Sequence, residues 1–129
     1  MTRGQARGDT ARMRLRVLIV DDHARFRAVA RAMLQGEGFD VIGEAGDGGS
    51  AVAAAGLMCP EVVLLDVHLP DMDGFAVALQ LASLARPPVV VLTSSRPIAD
   101  LRQRVRASRA AGFLAKDELS GAALLAIVE

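Results

Sequence analysis

Short apolar runs recur along this chain, and each closes on a polar residue. The run at 15–20 ends at Asp21 and Asp22, that at 62–65 at Asp66, that at 89–92 at Thr93 and Ser94, and that at 113–115 at Lys116. Runs this short, bounded by turn residues, predict strands. Their continuous apolarity predicts strands covered on both faces, as in a parallel sheet. Helical spacing separates them. Over 24–35, Phe26, Val29, Ala30, Met33 and Leu34 share an inner face while Arg25, Arg27 and Arg31 point away, and Gly36 and Gly38 end the helix. A second strand is expected over 41–45, then an Ala-rich helix over 50–57 with Val52 inward. Pro60 opens a third strand over 61–67. A third helix places Phe75, Ala78, Leu79 and Ala82 on one face, and Pro87-Pro88 halts the chain before the fourth strand. A fourth helix is expected over 98–110 and a fifth strand over 112–115. A fifth helix should start after Asp117 with Leu119, Ala123 and Ile127 inward.

Strands and helices thus alternate with a period of roughly two dozen residues, the signature of repeated βα units. Residues 1–12 lack any apolar period and read as a disordered tail, with Met13 an alternative start and 13–129 a single domain. In a parallel sheet all strand C-termini lie on one edge, where open α/β sheets bind their ligands. Three carboxylates (Asp21, Asp22, Asp66), the Thr93 hydroxyl and the Lys116 ammonium would gather there.

Composition narrows the picture. With 129 residues and 52% hydrophobic content, the chain can bury a real core. Zero net charge gives no general reason to expect nucleic acid. The lone Cys59 excludes an internal disulfide, and no CxxC or Cys/His spacing suggests a zinc site; it fits a reducing cytosol, so a cytoplasmic location is expected. No apolar run reaches the roughly 18 residues of a membrane span. The six-residue run after the N-terminal arginines is too short for a signal peptide. Fourteen of the fifteen bases are arginine, as genomic base bias would produce. The single lysine falls directly after a strand, where a compact point charge on a flexible stem differs from a planar guanidinium.

Crowded carboxylates raise one another's pKa and call for a cation or a proton. Mg²⁺ suits oxygen ligands and keeps waters and phosphate in its shell. A carboxylate nucleophile, a metal, a lysine and a hydroxyl together suit phosphoryl chemistry.

The motifs VLIVDD, VVLLDVHLPDMDGF, VVVLTSS and GFLAK, in this order at predicted strand ends, resemble the receiver domain of bacterial two-component response regulators. The resemblance covers 14–129. It implies a flavodoxin-like, doubly wound five-stranded parallel sheet in order 2-1-3-4-5 with helices on both faces. It implies that Asp66 accepts a phosphoryl group from a sensor histidine kinase. Asp22 and Asp66 would bind Mg²⁺ directly, Asp21 through a metal-bound water, and the carbonyl of His68 would complete the protein's ligands. Thr93 and Lys116 would contact the phosphoryl group, and Phe113 would be the aromatic switch. The side chains of His68 and Ser94 would help set the lifetime of the aspartyl phosphate. Such a domain dephosphorylates itself slowly and is not a multiple-turnover enzyme. Asp117 stands where many receivers carry a cis-proline, and Phe113 lacks the hydroxyl of the commoner tyrosine. The last sixteen residues resemble receivers that precede a helix-turn-helix domain.

Plainer readings stand beside these. The Asp21-Asp22 pair could cap the first helix, and Thr93 and Ser94 could form a turn. His23 and His68 read as loop residues, and Asp71-x-Asp73-Gly74 as a turn and helix start rather than a calcium loop. Arg102, Arg106 and Arg109 form a stripe that reads as a solvated basic face. The alternative is a homodimer or output contact through the fourth helix, fifth strand and fifth helix, with an acidic partner favoured. No groove-reading motif accompanies the stripe, so direct nucleic-acid contact is not expected. Two other functions compete. One is a Mg²⁺-dependent aspartyl-phosphate phosphatase of the haloacid dehalogenase type, which requires an aspartate where His68 stands. The other is a receiver-fold binding module that works without phosphorylation.

Overall fold

The computed structural model describes residues 14–129; the tail expected over 1–12 and the alternative start at Met13 lie outside them. Ten regular elements follow in strict alternation: β1 (Arg16–Val20), α1 (Ala24–Gly36), β2 (Asp40–Ala45), α2 (Gly48–Met58), β3 (Val62–Asp66), α3 (Gly74–Ala82), β4 (Val89–Ser94), α4 (Leu101–Ala107), β5 (Gly112–Ala115) and α5 (Gly121–Val128). The five strands form one parallel sheet in order β2-β1-β3-β4-β5, as the sequence predicts.

The two faces carry separate cores. Val17, Ile19, Val62, Leu64 and Val91 pack with Ala30 and Leu34 of α1 and Leu124 of α5. Leu18, Val20, Val63, Leu65 and Leu92 pack with α2 and α3 on the other side. Successive strand side chains alternate between faces, so the unbroken apolar runs are the direct cost of covering both. Among the described residues, no helix is long and apolar enough to cross a membrane.

Four local expectations change. Val29 and Leu79 are exposed, at 56% and 46%; α3 instead turns Phe75, Val77, Ala78 and Leu81 inward. Arg27 and Arg31 do not point freely into water, because both bond the Glu44 carboxylate, at 2.9 and 2.6 Å. The fourth helix is only seven residues long. Asp100 at its N-cap and Arg109 beyond its C-terminus both take left-handed backbone (φ 54 and 66), which ends helical continuity on either side. The fifth helix starts later than expected. A 3₁₀ turn occupies Lys116–Glu118, Leu119 packs from an extended residue, and Ser120 caps α5 by accepting from Ala123 N–H at 3.0 Å. The Glu37 carboxylate, just past α1, accepts from Gly121 N–H at 3.0 Å and so ties the start of α5 to the end of α1.

Candidate functional site

β1 and β3 carry their aspartates to the same rim. Asp21 is fully buried, and its N–H donates to the carbonyl of Ala45 at 3.0 Å, which extends the strand pairing by one residue. Arg27 holds the turn from below: its Nη1 donates to the Asp21 carbonyl at 2.6 Å while its Nε is paired with Glu44. Asp66 is the last residue of β3 and is also buried, its Oδ1 accepting from His68 N–H at 3.1 Å. Asp22 is exposed.

Lys116 enters from the end of β5. Its Nζ lies 2.5 Å from Asp21 Oδ2 and 3.4 Å from Asp66 Oδ2, and 4.7 Å above the centre of the Phe26 ring. The ammonium thus bridges two buried carboxylates and rests on an aromatic face. Phe26 is a contributor that helical spacing assigned to the core alone. The peptide bond between Lys116 and Asp117 is trans, as no cis bond occurs among the described residues.

Thr93 pairs with Asp66 in register across β3 and β4, so both side chains leave the sheet on the same side. Its hydroxyl is buried and meets no hydrogen-bond partner. An unpaired buried hydroxyl costs about 1–3 kcal/mol, so the site holds a donor ready for something that binds there. Ser94 is committed locally instead. Its Oγ donates to the Arg96 carbonyl at 2.9 Å and accepts from Arg96 N–H at 3.0 Å, the turn that the plainer reading foresaw.

The Asp66 carboxyl titrates above the ordinary aspartate range. Burial is the main cause and the nearby Asp21 charge adds to it; the His68 N–H and Lys116 pull in the other direction. One ammonium among three carboxylates leaves the rim short of positive charge. Asp21, Asp22, Asp66 and His23 offer ligand atoms that all lie within 4.8 Å of one another. That donor set fits a divalent cation. His23 reads from the sequence as a loop residue, and only its position beside the aspartate pair draws attention to it. It is the N-cap of α1, yet its side chain makes no capping bond.

The remaining candidates lie around this centre. His68 is exposed and bridges in backbone to Asp73. Asp73 caps α3 through Phe75 N–H at 2.7 Å, as the turn-and-helix-start reading requires. Asp71 instead reaches across to α2, accepting from Gly48 and Gly49 N–H at 2.7 and 3.0 Å; those two donors hold its carboxyl below the ordinary range. Phe113 is half-buried in a groove of about 430 Å³ with Ile98, Leu101, Ala115 and Lys116, between the loop that follows β4 and the end of β5. Arg102, Arg106 and Arg109 are exposed along and beyond α4. Arg104 behaves differently. It pairs with Asp73 at 2.9 Å and stacks 4.2 Å over the Phe75 ring.

Comparison with known proteins agrees with this geometry. The profile of the response regulator receiver domain matches residues 17–129. The transcriptional regulatory protein PdtaR of Mycobacterium tuberculosis is 43% identical over 101 residues, covering 78% of this chain and 49% of PdtaR. The chain therefore spans about half the length of the curated relatives it matches. The signal receiver domain of NarL from the same organism superposes with a TM-score of 0.80 at 34% identity, over 89% of this chain and 96% of that one. In the CheX–CheY–BeF3–Mg²⁺ complex of Borrelia burgdorferi, the similar chain gives a TM-score of 0.78 at 28% identity, over 88% and 86%. With its sheet order, its acidic rim and this similarity along nearly all of its described length, the chain belongs to the response regulator receiver domain family of two-component signalling.

Proposed function

We propose that this chain is a phosphoryl-accepting switch, with Asp66 as the acceptor and a phosphohistidine on a sensor histidine kinase as the donor. One observation carries the reading: a buried carboxylate with a lysine 3.4 Å away and, beside it in the sheet, a buried hydroxyl with no partner. An oxygen of Asp66 forms a bond to phosphorus as the phosphorus–nitrogen bond of the donor breaks, the imidazole nitrogen keeping the electron pair. Lys116 offsets charge on the transferring group, and Thr93 donates its hydroxyl hydrogen to a phosphoryl oxygen.

Asp21, Asp22, Asp66 and the His68 carbonyl would hold Mg²⁺, an ion also present, with BeF3, in the Borrelia complex that contains a similar chain. When bound, the ion would neutralise both the crowded carboxylates and the phosphoryl oxygens.

Phosphorylation would replace the single charge of the Asp66 carboxylate with about −1.5 to −2 charges on the phosphoryl oxygens, taking phosphoserine as the guide. Thr93 and Lys116 are then drawn to that charge, Phe113 turns into the space behind Thr93, and the surface formed by α4, β5 and α5 shifts its population. A second copy or an output partner would read that surface, and the unpaired arginines of α4 favour an acidic one. The relatives named as transcriptional regulators suggest transcription as the eventual output.

Intact-mass measurement after incubation with acetyl phosphate and Mg²⁺ tests this. The wild-type chain should gain one phosphoryl group and Asp66→Asn none. Stoichiometric labelling of the variant would overturn the assignment, and repeated turnover of a generic phosphate ester would point to a phosphatase.

A further inference from the structure

We infer that His23 makes the acidic rim a mixed nitrogen–oxygen site, which takes imidazole-binding divalent ions such as Ni²⁺, Cu²⁺ or Zn²⁺ with His23 as a ligand. The inference rests on reading this rim as a divalent-ion site and is independent of phosphoryl transfer. His23 Nδ1 lies 3.1 Å from Asp22 Oδ1 and 3.2 Å from Asp21 Oδ1. It carries a hydrogen toward those oxygens in one tautomer and offers a lone pair in the same place in the other. The backbone keeps it there, since His23 N–H donates to Asp21 Oδ1 at 2.8 Å. The ring has no capping duty, and at 70% side-chain exposure it has room to adjust to an ion.

Two further observations mark the rim as built for a ligand. Asp21 and Asp66 are buried against a single ammonium, and the Thr93 hydroxyl beside Asp66 is buried without a partner. Oxygen ligands alone suit Mg²⁺, Ca²⁺ and Mn²⁺, whereas an imidazole suits zinc, copper and nickel, and affinity rises along the series toward copper. His23 would therefore strengthen binding of the later ions and add nothing for Mg²⁺. Both kinds of ion would compete for the same carboxylates.

Loss of even an outer partner of a metal ligand costs about 10–100-fold in affinity, so loss of the ligand itself should cost about tenfold or more. Calorimetric titration of the untagged chain with Ni²⁺ and with Mg²⁺, in wild type, His23→Asn and His68→Asn, tests the inference. Ni²⁺ affinity should fall by about tenfold or more in His23→Asn and hold in His68→Asn, with Mg²⁺ affinity alike in all three. Pulsed paramagnetic resonance of bound Cu²⁺ should show coupling to an imidazole nitrogen in wild type that His23→Asn removes. Equal Ni²⁺ affinity in wild type and His23→Asn, or a nitrogen signal lost only in His68→Asn, would overturn it. Failure of wild type to bind Mg²⁺ would overturn the underlying reading of the rim.

Discussion

The end of β3 and the helix α4 treat charge in opposite ways. Every residue of β3 is buried, and its terminal Asp66 is fixed by a backbone bond, a lysine and a neighbouring strand. α4 has no buried residue, a left-handed residue at its N-cap with no side-chain capping bond, and arginines turned to solvent. The first arrangement holds its polar groups in fixed positions, the kind of preorganisation that favours electrostatic stabilisation of a reaction. The second leaves a helix held by few contacts, the low-stability end of a structure from which moving elements are drawn. One carboxylate joins the two regions: Asp73 caps α3 with one oxygen and pairs with Arg104 of α4 through the other.

Three experiments would sharpen or break that contrast. The largest effect is expected from Leu64→Ala, which opens a cavity in a fully buried strand and should cost about 2–5 kcal/mol in urea unfolding. Leu101→Ala, at the partly exposed start of α4, should cost about 1 kcal/mol. Equal losses would erase the difference between strand and helix. Next comes Asp66→Asn. Its carboxyl is raised in the folded chain above the ordinary 3.8, so the folded state binds the proton more tightly than the unfolded state does. Without a divalent ion, wild-type stability should therefore decline as pH rises from 3.8 through the folded value and level off beyond it. The variant should melt higher than wild type at neutral pH, the gap closing in acid, and Mg²⁺ should raise the wild-type melting temperature more than the variant's. A variant that melts lower at neutral pH would refute a destabilising Asp66 carboxylate. The smallest effect belongs to Arg104→Met. The pair is 44% and 48% exposed, so its loss should cost at most about 1 kcal/mol. Amide exchange should quicken in α4 and stay unchanged in β3; uniform exchange would show that Arg104 does not anchor the helix.

The sheet was legible because strands buried on both faces must be apolar at every position, and only such runs precede Asp21, Asp66 and Thr93. The rim followed, since parallel strands end on one side whatever their sequence separation. Helix ends were harder. Residues 98–110 keep helical spacing, but the left-handed Asp100 and Arg109 cut the helix to seven residues. The late start of α5 depends in part on Glu37, a partner 84 residues away from Gly121. Long-range pairing also hid the roles of Arg27 and Arg31, which look like solvated charges until β2 places Glu44 beside them. At the site, the aspartates, Thr93 and Lys116 were visible as residue types at strand ends. The Phe26 ring under the ammonium and the His23 ring between two carboxylates were not, because each depends on where α1 begins.

Gly74 opens α3 with its backbone pressed against the end of β3. A Cβ there would strike the Asp66 carbonyl and come within 2.6 Å of Val67 Cα. A library randomised across this loop and sorted for folded chains should thus return glycine at that codon, however freely its neighbours drift. Adapting the domain to a new input leaves the turn behind Asp66 with a single tolerated residue at that point.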